Sequence, residues 1–340
     1  MLADQDIAAL KALISFPKEV VILSHRNPDG DAIGSSLALS LYLQTLGHRT
    51  TVIFPSEYPE VFEWMPQSKD ILIYDLQPQQ AETAVERAEL IFCLDFNGLD
   101  RIDKLGLKVD ASRSPKVMID HHLDPEPFAD ILFSTTQVSS TAELVYRLIL
   151  RIQGHKSIST EIAECVYVGI MTDTGSFHHA TSGDLYRIVA DLKDGGLDDT
   201  RVQELVNNSL PDKYLRLLGH CLNNRMELIP EWGLGIIYLS REDYRNFDIR
   251  RGDTEGIINY LMMLKSVRVG VMVMNQPSIV KLSMRSKGTF SVQAICREHF
   301  GGGGHRNASG GYSKSSMEDT LKKLKEVFPS YLVPEKIENS

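Results

Sequence analysis

The sequence predicts a two-domain α/β protein: an N-terminal, mainly parallel sheet with helices on both faces, a helical linker and a smaller C-terminal α/β domain. Three observations predict it. The chain has 340 residues, about twice the usual single-domain length. Its first half interleaves helical patterns with short apolar runs that do not alternate, as strands buried between two helical layers require. From Arg225 onward the order changes to strands, a helix, a Gly-rich turn and a last helix. The expected boundaries are 1–190, 191–223 and 224–340.

Val20–Ser24 opens the first half as a buried strand. Asp31–Leu46 follows with Leu37 and Leu41 at helical spacing, and Gly47 is suited to the C-cap. Thr50–Phe54, Ile71–Tyr74, Leu90–Leu94 and Lys116–Ile119 read as further strands. Ser140 and Glu143 form a capping-box pattern that opens a helix running to about Ile152. Another helix is expected from Thr160 to Met171. Asp184 to Asn223 looks mostly helical, broken by Gly195-Gly196 and Pro211. The second half offers strands at Met226–Ile229, Leu234–Leu239, Arg268–Met274 and Ile279–Met284, and helices at Phe290–Phe300 and Met317–Val327.

Composition narrows the function. With 36 basic and 45 acidic residues, the net charge is −9. Long duplex nucleic acid is therefore not an expected partner, because nonspecific duplex binding relies on many Lys and Arg at phosphates. Cys93, Cys165, Cys221 and Cys296 are scattered, without CxxC or zinc-ribbon spacing. No apolar run approaches the ~20 residues of a membrane span; Ile257–Met274 comes nearest, broken by Asn259, Lys265 and Arg268. The expectation is a cytoplasmic protein with no membrane partner. The apolar stretch between Val20 and Phe54 is a candidate contact for a homodimer.

Four clusters carry chemistry. Residues 24–31 (SHRNPDGD) follow the first strand, Asp95 ends the Leu90–Leu94 run, Asp120-His121-His122 ends Lys116–Ile119, and Thr172–Gly175 (TDTG) closes a helical run. Each alone has an ordinary explanation: a turn, a loop cap, a surface pair. Together, three of them close predicted strands, and those ends share one rim of a parallel sheet. That rim would gather Asp29, Asp31, Asp95 and Asp173, whose like charges repel unless protonated or neutralised. Two divalent cations balance four carboxylates. His25 and His121 add neutral nitrogens, and a nitrogen–oxygen set without thiolate suits Mn²⁺, Fe²⁺, Co²⁺ or Zn²⁺.

These residues match a known pattern. HRNPDGDAIGS at 25–35, Asp95, the DHH triplet at 120–122 and TDTGSF at 172–177 resemble the four motifs of the DHH phosphoesterase superfamily. GGGGHRNASGG at 301–311 resembles its associated substrate-binding domain. Within the superfamily the layout is most similar to the nano-RNase group, oligoribonucleases that also dephosphorylate 3′-phosphoadenosine 5′-phosphate (pAp). The resemblance implies one ion held by His25, Asp29 and Asp95. It implies a second held by Asp31, Asp95, His121 and Asp173, with Asp95 bridging and Mn²⁺ the usual metal. His122 would face the scissile phosphate, so Asp95 and His122 are the candidate catalytic residues. The implied reaction is phosphoester hydrolysis by a metal-activated water.

In the second domain, Gly303 and Gly304 could bring backbone N–H groups to a phosphate. His305, Arg306 and Asn307 follow at once, and Arg285-Ser286 ends a predicted strand; all are substrate-binding candidates. A two-domain cleft would favour short single-stranded RNA or a nucleotide over long polymers. Three alternatives stand beside this reading: a cyclic or linear dinucleotide phosphodiesterase, an inorganic pyro- or polyphosphatase, and a non-catalytic metal-dependent nucleotide sensor. His178-His179 fits an exposed loop pair as well as a substrate contact.

Overall fold

Val20, Ile22, Leu90, Phe92 and Leu94 pack into one apolar cluster, while Val21, Leu23, Ile91 and Cys93 pack into another. This alternation means that both sheet faces are covered, as a parallel sheet requires. The computed structural model describes residues 3–155, 157–208, 211–250 and 252–331, divided into two compact units at 209/210. Residues 332–340 of the expected C-terminal domain lie outside the described ones.

The first unit begins with α1 (Asp4–Leu13), β1 (Glu19–Leu23), α2 (Gly30–Thr45), β2 (Arg49–Phe54), β3 (Leu72–Ile73) and α3 (Pro78–Arg87). It continues with β4 (Leu90–Leu94), α4 (Lys104–Ala111), β5 (Lys116–Asp120), β6 (Ile131–Ser134), α5 (Thr141–Gln153) and α6 (Thr160–Asp173). α7 (Gly183–Asp194) and α8 (Asp199–Asn207) complete it. Among the described residues the sheet runs β3-β2-β1-β4-β5-β6, and every neighbouring pair is parallel. The order reverses direction between β1 and β4. That switch point opens a crevice at the carboxyl ends of these two strands.

The α2 helix is buried almost throughout and packs on α5 and α6. Glycines allow the close approach. A Cβ on Gly34 would lie 2.5 Å from the Cys165 carbonyl oxygen, and one on Gly169 would lie 2.4 Å from the Ala142 Cβ. α1, α3, α4 and β6 were not among the expected elements. α3 buries only Ala81 and Val85 and so carries little apolar signal, while β6 (ILFS) is apolar but only four residues long. Within the stretch between Val20 and Phe54, the apolar residues Val20, Val52, Ile53 and Phe54 are buried inside the unit, so they are spent on its own core.

The second unit holds α9 (Asp212–Asn224), β7 (Met226–Ile229), β8 (Leu234–Leu239), α10 (Arg241–Asn246) and α11 (Ile257–Met263). β9 (Val269–Asn275), β10 (Val280–Ser286), α12 (Val292–His299), β11 (Gly303–Gly304), β12 (Ala308–Ser313) and α13 (Met317–Val327) follow. Its sheet runs β11-β12-β10-β9-β8-β7 and is mixed, with β8 and β9 parallel and the other pairs antiparallel. The apolar stretch at 257–274 divides into α11 and β9. No described helix is long and apolar enough to cross a membrane. Residues 191–223, read above as a linker, contain α8, which packs on α6 in the first unit, and most of α9, which packs on β7 and β8 in the second.

Candidate metal centre

The switch-point crevice positions the first group of side chains. β1 ends one residue before Ser24-His25, and the His25 Nδ1 lies 2.9 Å from the Arg26 carbonyl oxygen. Its Nε2 lies 3.3 Å from Asp95 Oδ2. Asp29 caps α2, its Oδ1 accepting from the backbone N–H groups of Asp31 (3.0 Å) and Ala32 (3.1 Å). Asp95 follows β4 and takes a left-handed φ of +63° while its N–H still bonds the Ile119 carbonyl. Asp tolerates that conformation better than most side chains. His25, Asp29 and Asp95 each offer a ligand atom, all within 4.8 Å of one another.

A second group lies beside it. Asp31, in the first turn of α2, is almost wholly buried. Its Oδ2 accepts from the N–H of Thr141 (2.7 Å) and its Oδ1 from that of Ala142 (2.9 Å), both at the N-terminus of α5. Helix N-termini favour anions there. His121, directly after β5, places Nε2 3.8 Å from Asp31 Oδ2, 3.5 Å from Asp95 Oδ1 and 3.3 Å from Asp173 Oδ2. Asp31, His121 and Asp173 again offer atoms within 4.8 Å. Asp95 thus turns one oxygen toward each histidine.

The electrostatics suit cations. Burial, then the charges of Asp95, Asp173 and Asp29, push the Asp31 carboxyl well above its ordinary range. Burial also works against the charge on Asp95, but the hydrogen bond to His25 and the nearby His122, His25 and His121 outweigh it and hold Asp95 below the usual carboxylate range. Burial would lower His25, yet Asp95 and the charge of Asp29 raise it; His121 is lowered, burial being the largest cause. Among the described residues, the partners of Asp31 and Asp95 are amides, a threonine hydroxyl and histidines, not lysine or arginine. A buried carboxylate driven toward protonation, two ring nitrogens and further oxygens are a donor set that a divalent ion satisfies. The neighbouring Cys93 thiol is buried and pushed up to about 12, so it adds no thiolate.

Two residues of the centre have a role that the sequence does not assign them. Asp120, the last residue of β5, accepts from both the ring and the backbone of His122. Thr141 bonds Asp95 and Asp31 together. Asp120 stood in view inside the DHH triplet. Thr141 gave only the signal of a helix start beside Ser140. His178 and His179 are both exposed, in a loop whose residues Gly175, Ser176, Phe177 and Ala180 have positive φ.

The second unit gathers its own candidates. Arg285 pairs with Ala308 across the β10–β12 ladder, and the Ser286 N–H bonds the Asn307 carbonyl. The turn carrying His305, Arg306 and Asn307 is closed by His305 N–H to the Ala308 carbonyl at 2.8 Å. Arg306 is exposed. Two expectations need correction. The glycine run is not an open loop of outward N–H groups: Gly303 and Gly304 form β11 against Gly310 and Ser309. A Cβ on Gly302 would lie 1.9 Å from the Gly310 carbonyl oxygen, so strand contact explains that glycine. The Asn307 amide nitrogen is spent inside the unit, on Ser286 Oγ and the Gly288 carbonyl, both at 2.9 Å. The Ser286 hydroxyl in turn donates to the Phe290 carbonyl.

A model of the DHH family, N-terminal domain, matches residues 19–170, and one of the DHHA1 domain matches 235–331. A crystal structure of an exopolyphosphatase-related protein from Bacteroides fragilis is 39% identical, with a TM-score of 0.92 over 97% of each chain. The bifunctional oligoribonuclease and PAP phosphatase NrnA of Bacillus subtilis is 27% identical over 87% of this chain and 90% of its own length. Its namesake in Thermus thermophilus is 28% identical over 86% and 83%.

Proposed function

The chain belongs to the DHH phosphoesterase family and is a hydrolase, and we propose that it degrades short oligoribonucleotides to mononucleotides and converts pAp to AMP. The observation that carries this is Asp95, whose two oxygens face His25 Nε2 and His121 Nε2 at 3.3 and 3.5 Å. One carboxylate aimed at two ligand groups suits a pair of adjacent cations. In this reading His25, Asp29 and Asp95 hold one ion, and Asp31, Asp95, His121 and Asp173 hold the other, with Mn²⁺ the preferred metal. Divalent ions bound by these residues would supply an acidified water and neutralise charge on the phosphate.

The chain's own residues do the rest. His122, fixed by Asp120, donates to a phosphate oxygen or to the leaving group. Arg285, His305 and Arg306 grip a second phosphate of the substrate, with the backbone of Gly303 and Gly304 beside them. Ser286 and Asn307 hold the turn that carries them. Binding energy from this remote group would be used to position the reacting phosphate. The NrnA relatives favour the oligonucleotide and pAp substrates, and a net charge of −9 favours short ones. A cytoplasmic site of action fits the four buried, unpaired cysteines.

The Bacteroides relative favours a second reading, hydrolysis of inorganic polyphosphate. One experiment separates the two. The protein is incubated with Mn²⁺ and dinucleotide, five-nucleotide RNA, pAp, cyclic dinucleotide, pyrophosphate or polyphosphate. Mononucleotide from the short RNAs and phosphate from pAp are expected, and both should vanish in Asp95→Ala. A preference for pyrophosphate or polyphosphate overturns the substrate class; activity surviving in Asp95→Ala overturns the site.

A further inference from the structure

We propose that Thr141 is a positioning residue of the metal centre, coupling its two groups of ligand atoms through one hydroxyl and one backbone amide. The inference rests on the metal reading given above and assigns a role to a residue outside the ligand set. Thr141 is wholly buried and is the first residue of α5, directly after the capping Ser140. Its Oγ1 donates to Asp95 Oδ1 at 3.0 Å and its N–H donates to Asp31 Oδ2 at 2.7 Å. The two carboxylates come from different strand–helix connections, so this one residue ties them to a common helix end.

The position explains the choice of residue. Inside a helix, a threonine hydroxyl tends to bond back to a carbonyl three or four residues earlier. At the first helical position that turn does not exist, and the hydroxyl is available to reach outward. Branching at Cβ then restricts χ1 and holds the donor in place. A carboxylate oxygen offers about two acceptor sites. The Thr141 hydroxyl occupies one on Asp95 Oδ1 and leaves another for a cation.

Metal loading sharpens the point. A histidine that ligates through Nε2 presents a lone pair there and can no longer donate that proton to Asp95. His25 and His121 both reach Asp95 through Nε2. The Thr141 hydroxyl stays a donor in either state, so it keeps the orientation of Asp95 the same before and after binding. Outer partners of this kind typically account for 10–100-fold in metal affinity.

The test is Mn²⁺ titration of the full chain by calorimetry, without substrate, for wild type and for Thr141→Val, Thr141→Ala and Thr141→Ser, with melting in EDTA as the measure of folding. Thr141→Val and Thr141→Ala should bind Mn²⁺ at least about tenfold more weakly, while Thr141→Ser, which restores the donor, should stay within about threefold of wild type. The valine and alanine variants should still melt cooperatively in EDTA. Wild-type affinity in Thr141→Val or Thr141→Ala overturns the inference. So does failure of both to fold when the serine variant folds, because the residue then serves the fold and not the ions. A wild type that binds no Mn²⁺ overturns the metal reading itself, and the positioning role with it.

Discussion

Asp120 holds His122 twice: its Oδ1 lies 2.8 Å from the ring Nδ1, and its Oδ2 accepts the backbone N–H at 3.1 Å. The carboxylate is fully buried at the end of β5. Such a clamp fixes the tautomer and the plane of the ring, so that the opposite nitrogen has one defined state. Asp120→Asn keeps the shape and removes the charge. It should lower kcat by roughly 10–100-fold while leaving KM for pAp little changed, because the clamp acts on the reacting side of the substrate. Steady-state kinetics with pAp check this; a rise in KM at unchanged kcat would remove His122 from the reaction.

The metal-free centre should be unstable toward alkali. Asp31 and His25 both have raised pKa values. Groups raised in the folded state contribute stability that is present at low pH and is lost as pH rises through the folded value. Asp95 and His121 are lowered and act in the opposite sense, but the contribution of Asp95 is complete well below pH 7 and the pH dependence from His121 fades over about one pH unit above the ordinary histidine value of about 6.5. The buried cysteines, raised to about 12 or beyond, begin to oppose folding only near the ordinary thiol value of about 8.5. Between about pH 7 and 8, stability in EDTA should therefore fall as pH rises. Saturating Mn²⁺ should abolish that slope and raise the melting temperature, since an ion held by ionised Asp31 removes the drive toward protonation. Thermal scans at both pH values with and without Mn²⁺ measure it, and a flat EDTA profile would contradict the assigned electrostatics.

Helix contact at Gly34 sets the spacing of the centre. A side chain there would meet the Cys165 carbonyl at 2.5 Å and the Gly169 nitrogen at 2.9 Å, both backbone atoms that cannot turn aside. The same α6 carries Asp173 at its end, and a Cβ on Gly169 would come 2.7 Å from Asp31 Oδ1. Gly34→Ala should cost about 1–3 kcal/mol by overpacking, even though alanine is the better helix former. Urea unfolding of the first unit reads the loss. Mn²⁺ affinity should fall with it, because α2 carries Asp31 and α6 carries Asp173.

The sequence made the strand-end acids readable because a parallel sheet gathers them at one rim whatever lies between. His25, Asp95 and His121 could therefore be grouped without knowing the loops. Thr141 could not, since its contacts follow from how α5 and α2 pack around α6, and that packing depends on Gly169, which meets Ala142 and Asp31, and on Gly34, which meets α6; both look like ordinary glycines within helices. The glycines at 301–304 were readable only in part. Their spacing suggests a phosphate loop, yet strand contact accounts for Gly302 and Gly304, which press on Gly310, Ala308 and Ser309. α3 was invisible because its sequence, PQQAETAVER, offers only two core residues.

Neighbouring residues of one turn should separate into a structural and a ligand-facing role. Asn307 donates to Ser286 Oγ and the Gly288 carbonyl, each at 2.9 Å, and so fastens the loop between β10 and α12 to the turn before β12. Replacing it by alanine leaves those acceptors in a partly buried loop without their donor, which costs about 1–3 kcal/mol. Arg306 is one residue earlier, and its exposed guanidinium has no ion-pair or hydrogen-bond partner among the described residues. Arg306→Ala should leave the melting temperature within about 1 °C of wild type, as surface substitutions usually do, but should raise KM for five-nucleotide RNA several-fold. Asn307→Ala should lower the melting temperature first and affect KM only through the displaced turn. Reversal of this pattern, with Arg306→Ala unstable and Asn307→Ala affecting KM at full stability, would mean that the amide and not the guanidinium meets the substrate.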